Sequence, residues 1–300
     1  MRILIAGGSG FIGKRLESAL AKKGNEVFVL TRTPRRSNEI YWNPIEGKLD
    51  EDRLPNCEII INLAGENIAT KRWTKSYKER LLQSRLDSTQ TLIRWIEKRN
   101  YTPEFIFQTS AVGLYADQSA IELDEEGQLK TEGFLYELAI DWERLGAQLI
   151  DLGKGGVVGR IGIVMDRSGG ALKEMYLPFK LGLGAMLGNG SQYMSWIGME
   201  DLIRAIIFLI EKKMSGVVNL VAPSPCTNRE FSHALTNRIA IFKFINYISI
   251  GVPRLILLIL FGEMADHLLE SLRVVPSRLL GAKFKFNDST IKEYFTNNLS

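Results

Sequence analysis

The stretch Gly7-Gly8-Ser9-Gly10-Phe11-Ile12-Gly13 carries the most specific chemical signal in the chain. Gly7, Gly10 and Gly13 satisfy one dinucleotide spacing, and Gly8, Gly10 and Gly13 satisfy another; spacing alone does not separate them. Either lets the backbone approach a pyrophosphate, whose charge then meets the amides and positive dipole end of a following helix. About twenty residues further on, an NAD site places a carboxylate against the ribose 2′-hydroxyl. Here the chain reads Leu30-Thr31-Arg32-Thr33-Pro34-Arg35-Arg36, with no Asp or Glu between Val27 and Asn38. The Thr31 hydroxyl and the Arg32 guanidinium suit a 2′-phosphate, so NADP(H) is expected over NAD(H), with Arg35 and Arg36 read as a surface basic turn.

Other residues could move protons or orient a carbonyl. Glu66 and Asn67 follow Leu63-Ala64-Gly65, Ser110 and Tyr115 follow a later apolar run, and Gln192 and Ser195 lie farther along. Tyr115 can be a phenol acid, Glu66 a base and Ser110 a hydrogen-bond donor. Each also has a structural reading: Ser110 satisfying backbone groups, Tyr115 packing with its hydroxyl bonded, Glu66 capping a helix. Arg85 lies at the edge of an otherwise apolar helical stripe, which is costly unless it meets an anion or a core carboxylate. Cys57 and Cys226 are far apart, and His233 and His267 are isolated, so neither a CxxC redox motif nor a metal centre is expected.

The elements that must position these groups alternate. Met1 to Ala6, Glu26 to Thr31, Cys57 to Leu63, Phe105 to Thr109 and Gly156 to Met165 read as strands, nearly all apolar as strands covered on both faces are. Phe11 to Lys23, Lys75 to Lys98 and Gly133 to Ile150 carry helix spacing, the second with Leu82, Leu86, Thr89, Ile93 and Ile96 on one face. A glycine-rich, irregular stretch follows about residue 166, then a helix at Glu200 to Glu211 and a strand at Val217 to Ala222. The expected fold is α/β, a Rossmann-type doubly wound parallel sheet in a core over 1–165 with returns at about 199–222, and a smaller C-terminal lobe over 166–300.

Composition limits the function classes. The chain has 300 residues, 45% apolar and 24% charged, with a net charge of +4 that is spread rather than clustered. That excludes disordered, collagen-like and disulfide-scaffold classes and gives no basic arm for nucleic acid. No signal peptide is read at the N-terminus, Leu255 to Phe261 is too short to span a membrane and reads as a buried helix, and the thiols suit a reducing cytoplasm.

With these residues in view, the sequence resembles the extended short-chain dehydrogenase/reductase superfamily, through AGGSGFIG, INLAGENIA and QTSAVGLYAD. It looks most like the nucleoside-diphosphate-sugar epimerase-like "epimerase family" subgroup. Trp42-Asn43-Pro44, RWTKSYKERLLQSRLDST, LPFKLGLG, Ser195-Trp196-Ile197, NLVAPSPCTNREF and GEMADHLLESLRVVPSRLL also carry the likeness, the last within a C-terminal module over about 240–300. The resemblance implies NADP(H) bound by Gly7, Gly10, Phe11, Ile12, Gly13, Thr31, Arg32, Leu63, Ala64, Gly65 and Arg85. It also implies a small-molecule substrate and a homodimer.

The superfamily's Tyr and Lys, four apart on a helix, fall at Leu135 and Ala139 if Glu143 is aligned with the glutamate that often follows them. Both are aliphatic. The other such pair, Tyr176 and Lys180, brackets Pro178 and reads as coincidence. Where many relatives have Ser-Trp-Ile-His, this chain has Gly198. Three readings follow: hydride transfer with a carbonyl or alcohol, sugar-nucleotide epimerisation, or a non-catalytic NADP(H)-binding sensor or scaffold. Trp73 and Trp196 are read as packing residues with an outside claim on a ligand.

Overall fold

The computed structural model describes residues 1–241 and 251–299, so the opening of the C-terminal module expected from about residue 240 falls largely outside the described residues. Apolar runs and helical stripes become β1 (Arg2–Ala6), α1 (Phe11–Lys22), β2 (Glu26–Thr31), β3 (Glu39–Asn43), β4 (Lys48–Leu49), β5 (Ile59–Asn62), α2 (Lys75–Arg99), β6 (Phe105–Ala111), α3 (Phe134–Asp151) and β7 (Gly156–Ile161). After these come β8 (Ile163–Met165), α4 (Gly170–Lys180), β9 (Tyr193–Met194), β10 (Trp196–Gly198), α5 (Met199–Glu211), β11 (Gly216–Leu220) and β12 (Cys226–Thr227). The remaining helices are α6 (Asn228–Ile239), α7 (Arg254–Phe261), α8 (Met264–Leu269), α9 (Ser277–Gly281) and α10 (Ile291–Asn298).

The main sheet has the order β11-β7-β6-β5-β1-β2-β3-β4. β1 is parallel to both β2 and β5, and β5 to β6, in a register that places Ala6 beside Leu30 and Asn62, and Asn62 beside Gln108. This is the expected doubly wound α/β architecture. Its first consequence is functional: the residues just past Ala6, Leu30, Asn62 and Gln108 emerge along one edge, where such sheets bind ligands.

Two compact units divide the chain. One holds Met1–Ala111, Glu132–Arg160 and Ile203–Val218; the other holds Val112–Thr131, Ile161–Leu202 and Asn219–Ser300. The first is built on Leu4, Leu30, Ile60, Leu92, Trp95 and Ile106. A nearly buried Arg160–Glu143 ion pair, at 2.9 Å, ties α3 to β7 within it. The second packs Trp196, Phe231, Tyr294 and Phe295 in one cluster and Val112, Tyr115, Leu123 and Val274 in another.

Several local expectations are corrected. The strand expected over Gly156 to Met165 is two strands, because after Gly162 the chain changes partner and β8 pairs with β10. The irregular stretch after residue 166 contains α4, a helix that accommodates Pro178 in its last turns and is anchored by buried Leu172 and Phe179. On α2 the buried line runs through Leu81, Arg85, Thr89, Leu92 and Ile96, while Leu82 and Leu86 are only half buried, so Arg85 stands on the covered face and not at its edge. Leu255 to Phe261 is helical as α7 but is not a buried helix: only Leu257 is buried, and Leu255 is 70% exposed. Among the described residues no helix is long and apolar enough to cross a membrane.

Candidate functional site

The cradle starts where β1 ends. Gly7 turns with φ of +80°, and a Cβ there would stand 2.7 Å from the Leu63 carbonyl oxygen, so the exits of β1 and β5 touch only because residue 7 has no side chain. A Cβ at Gly13 would overlap the Gly7 carbonyl and lie 2.5 Å from the Gly8 Cα, which is how α1 begins directly against the turn. Gly8 instead faces the Val29 side chain. The geometry therefore gives Gly7, Gly10 and Gly13 the turn-making roles and Gly8 a packing role, separating two spacings that the sequence leaves equal. The Gly10 N–H donates to the Gly7 carbonyl at 3.0 Å. No side chain caps α1 and no acid lies in its first turn, so its opening amides and dipole are left for an external anion.

Thr31 and Arg32 end β2. Thr31 is buried and its hydroxyl accepts from the Thr33 N–H at 3.3 Å, shaping the turn. Arg32 is exposed, and among the described residues no carboxylate pairs with it. Arg36 is different: it forms 2.8 and 2.9 Å ion pairs with Glu17 and Glu39, and the Glu17 bond, followed by that to Glu39, raises its pKa. The one basic side chain of this turn that is neutralised is thus Arg36, while Arg32 stands unneutralised at the strand end.

Leu63-Ala64-Gly65 forms the opposite wall. Asn62, fully buried, donates to Thr89 Oγ1 and Gln108 Oε1, both at 2.9 Å, and accepts from the Ala64 N–H at 3.2 Å. Thr89 in turn donates to the Arg85 carbonyl at 2.9 Å. This closed polar chain fixes the loop against α2. Under the loop lies Arg85, 9% exposed, its Cζ 3.0 Å from where a Gly65 Cβ would be. Its Nη1 donates to the Leu81 carbonyl at 2.8 Å and its guanidinium covers the Trp142 ring at 4.9 Å, but Nε has no partner among the described residues. No carboxylate pairs with it there either, which removes the core salt bridge as its explanation. Burial pulls its pKa down to about 10. A buried cation that no described carboxylate pairs with, Glu66 acting on it only at a distance, is suited to receive an anion beneath the Gly65 turn.

The proton-handling candidates separate. Ser110, on β6, is 1% exposed and its Oγ has no partner among the described residues; the neighbouring Thr109 hydroxyl is unpartnered too. Tyr115 lies in the second unit, fully buried, with its hydroxyl donating to Asn219 Oδ1 at 2.9 Å, so it is a core phenol and not a poised acid. Glu66 is ion-paired with Arg80, and its N–H donates to Ser84. Gln192 donates to the Leu187 and Leu268 carbonyls, and Ser195 to that of Leu272. Leu135 is half buried and Ala139 buried on α3. Tyr176 and Lys180 do share a helix, but the ammonium lies over the ring, 6.0 Å from its centroid.

The tryptophans pack. Trp73 Nε1 donates to Ile68 O and Trp196 Nε1 to Ser224 O. A Cβ at Gly198 would stand 3.0 Å from the Tyr294 ring, so in this chain that ring fills the space a larger residue 198 would need. Cys57 and Cys226 are buried, free thiols that burial pushes up to about 12. His267 pairs with Glu270 at 3.0 Å, and no metal-binding cluster occurs among the described residues. The unpaired Ser110 hydroxyl and Arg85 Nε were not legible in the sequence, since pairing is a property of the folded neighbourhood.

Comparison with known proteins gives a consistent likeness. Residues 3–137 match the NAD dependent epimerase/dehydratase family, and residues 252–297 match a domain of unknown function, DUF1731. An epimerase family protein of Mycobacterium bovis is 37% identical over 294 residues, covering 97% of this chain and 95% of the relative. One from Staphylococcus aureus is 35% identical, covering 96% of each. The crystal structure of human epimerase family protein SDR39U1 (isoform 2) with NADPH superposes with a TM-score of 0.86 at 33% identity, covering 99% of both chains. The nucleoside-diphosphate sugar epimerase from Corynebacterium glutamicum gives 0.79 at 26%, covering 100% of this chain and 58% of that one.

Proposed function

The chain belongs to the epimerase family proteins of the extended short-chain dehydrogenase/reductase group, and from that premise we propose that it binds NADP(H) in preference to NAD(H) and presents it to a small carbonyl or alcohol substrate in the cytoplasm. The observation that carries the reading is the charge arrangement. Arg36 is neutralised by two glutamates, whereas Arg32 at the end of β2 and Arg85 beneath Gly65 have no carboxylate among the described residues. Gly7, Gly10 and Gly13 with the opening amides of α1 hold the pyrophosphate, Thr31 and Arg32 the adenosine phosphate, and Leu63 to Gly65 the adjoining ribose. When bound, the nicotinamide supplies or accepts a hydride.

To Ser110 we assign the orienting of a substrate oxygen. It follows Gln108, which registers with Asn62, on the same sheet edge as the cradle, and its hydroxyl has no partner among the described residues. On this reading Ser110→Ala lowers kcat about tenfold, the worth of one hydrogen bond, with the NADPH dissociation constant unchanged. Stopped assays at 340 nm with a carbonyl panel measure the first and calorimetry the second.

A second reading has its own support: Leu135 and Ala139 stand where the superfamily carries its Tyr and Lys, and neither transfers a proton. Under it the protein holds NADP(H) as a sensor or scaffold. Calorimetric titration of NADPH and NADH into the purified protein, followed by the carbonyl panel, tests both. Tight NADPH binding with turnover supports the oxidoreductase; binding without turnover on any carbonyl or sugar-nucleotide tried supports the non-catalytic module. Absence of binding overturns the cradle reading itself.

A further inference from the structure

Buried polar groups that find no hydrogen-bond partner are costly and rare, so the place where they gather is informative. Among the described residues nine buried side-chain nitrogen or oxygen atoms lack a partner, and Arg85 Nε, Ser110 Oγ and Trp142 Nε1 are three of them. All three belong to the first unit. Trp142 is 4% exposed, and the Arg85 guanidinium lies over its ring at 4.9 Å. This stack holds two N–H donors, one of them on a cation, that meet no acceptor among the described residues.

Register brings Ser110 to the same end of the layer. A Cβ at Gly146 would stand 2.5 Å from Gln108 Cγ, whereas one at Gly153, just past the end of α3, would meet the Ile106 side chain, so α3 runs back along β6. Trp142, one helical turn before Gly146, is therefore level with Ser110, two residues beyond Gln108: a turn rises about 5.4 Å and two strand residues about 6.6 Å. Side chains alternate along a strand, so Ser110 faces the α3 side as Gln108 does. Arg85 reaches this end from α2, beneath Gly65. On α3 itself Leu135, Ala139 and Trp142 follow at intervals of four and three, which puts them on one face. The first two have no hydrogen-bonding side chain, and Trp142 is the member of that stripe with a donor to offer.

We propose that Trp142 is a cofactor-binding residue, its indole N–H held for a hydroxyl oxygen of the ribose that carries the nicotinamide. This rests on the cradle reading above, and the sheet order decides which part of the dinucleotide is meant. The strands run β6-β5-β1-β2. With the adenosine phosphate at the end of β2 and the pyrophosphate at the opening of α1 after β1, the next group of the molecule, the nicotinamide ribose, extends over β5 towards β6. A ribose hydroxyl accepts from an N–H, and Arg85 beside the indole keeps its place at the pyrophosphate.

Calorimetric titration of Trp142→Phe tests this, since phenylalanine keeps an aromatic face under Arg85 and removes the N–H. The dissociation constants for NADPH and NADH both rise about tenfold, the worth of one hydrogen bond. That for adenosine 2′,5′-bisphosphate, which has the 2′-phosphate but no nicotinamide ribose, stays within about twofold. The contrast with Arg32→Ala is qualitative, because that variant loses the bisphosphate together with NADPH.

As an independent readout that needs no variant to remain folded, the Trp142 indole N–H signal is followed by nuclear magnetic resonance in the isotope-labelled wild type. NADPH moves it downfield and slows its exchange with solvent, whereas adenosine 2′,5′-bisphosphate leaves it in place. A Trp142→Phe protein that binds NADPH as the wild type does overturns the proposal, and means that the indole is bonded to water or to nothing. Equal weakening of NADPH and the bisphosphate overturns it too, in favour of a role in holding the fold. A wild type that binds NADPH while the signal stays unmoved overturns it with the cradle intact. Binding of neither ligand by the wild type overturns the cradle reading and this proposal with it.

Discussion

Replacing Arg32 by alanine raises the dissociation constant for NADPH by about 10- to 100-fold and leaves that for NADH within about twofold. The range is that of charge-assisted hydrogen bonds to one phosphate, about 1.5–3 kcal/mol, converted at about 1.4 kcal/mol per factor of ten. The asymmetry is the informative part. NADH has no 2′-phosphate, so an arginine that acts on that group has nothing to lose with it, and equal loss for both cofactors sinks the phosphate-clamp reading. Arg36→Gln is the internal control. Its guanidinium is already held by Glu17 and Glu39, so its removal leaves the NADPH to NADH ratio unchanged while loosening the turn. Raising the salt concentration narrows the wild-type preference towards that of Arg32→Ala, because an exposed arginine is screened.

Arg85→Met moves stability and affinity in opposite directions. In the protein without cofactor, methionine removes a buried cation that has one carbonyl bond, an aromatic face and no paired carboxylate among the described residues, and fills similar volume. Replacing a poorly compensated buried charge by an apolar side chain stabilises, here by about 1–2 kcal/mol, a rise of a few degrees in Tm. The sign follows from linkage. A base whose folded-state pKa is pulled down pays for its charge at every pH below that value of about 10, so at neutral pH the full cost is present and the substitution relieves it. On the cradle reading Arg85 meets the pyrophosphate, which both cofactors share, so NADPH binding instead weakens by about 100-fold, and NADH binding with it. Differential scanning calorimetry with and without cofactor reads both effects in one series. A fall in Tm of the cofactor-free variant shows that Arg85 is a structural strut and removes it from the site.

Arg32 and Arg85 thus make separable statements. Loss at Arg32 discriminates between cofactors and loss at Arg85 does not, so the two variants report on different ends of the same molecule. A protein in which both behave as expected yet no carbonyl is turned over is the non-catalytic module that Leu135 and Ala139 favour. One in which Ser110→Ala also lowers turnover is an enzyme with a substitute for the missing phenol.

The α/β alternation, the glycine turn between β1 and α1, and the basic residues after β2 are readable from the amino-acid order alone. These are local signals: period, turn chemistry and short spacing are written in consecutive residues and survive without knowledge of the rest of the chain. The same order also carries the family likeness and the aliphatic Leu135 and Ala139. Pairing between side chains, by contrast, is settled by the folded neighbourhood. Gly7 and Gly13 take the turn-making roles because Leu63 and Gly8 crowd them, from β5 and from across the turn. Arg36 is quenched by Glu17 on α1 and Glu39 on β3, residues whose approach no spacing announces. Tyr115 loses its candidacy to Asn219, over a hundred positions away, and Ser110 keeps its candidacy because no described residue bonds its hydroxyl. The segment from Arg254 reads as a helix and is one, but its apolarity does not bring the expected burial, because whether a greasy side chain is covered depends on what the rest of the fold brings to it. Periodicity fixes which face a residue is on, while burial, ionisation and partnership are set by long-range contacts that exist only after the chain has folded.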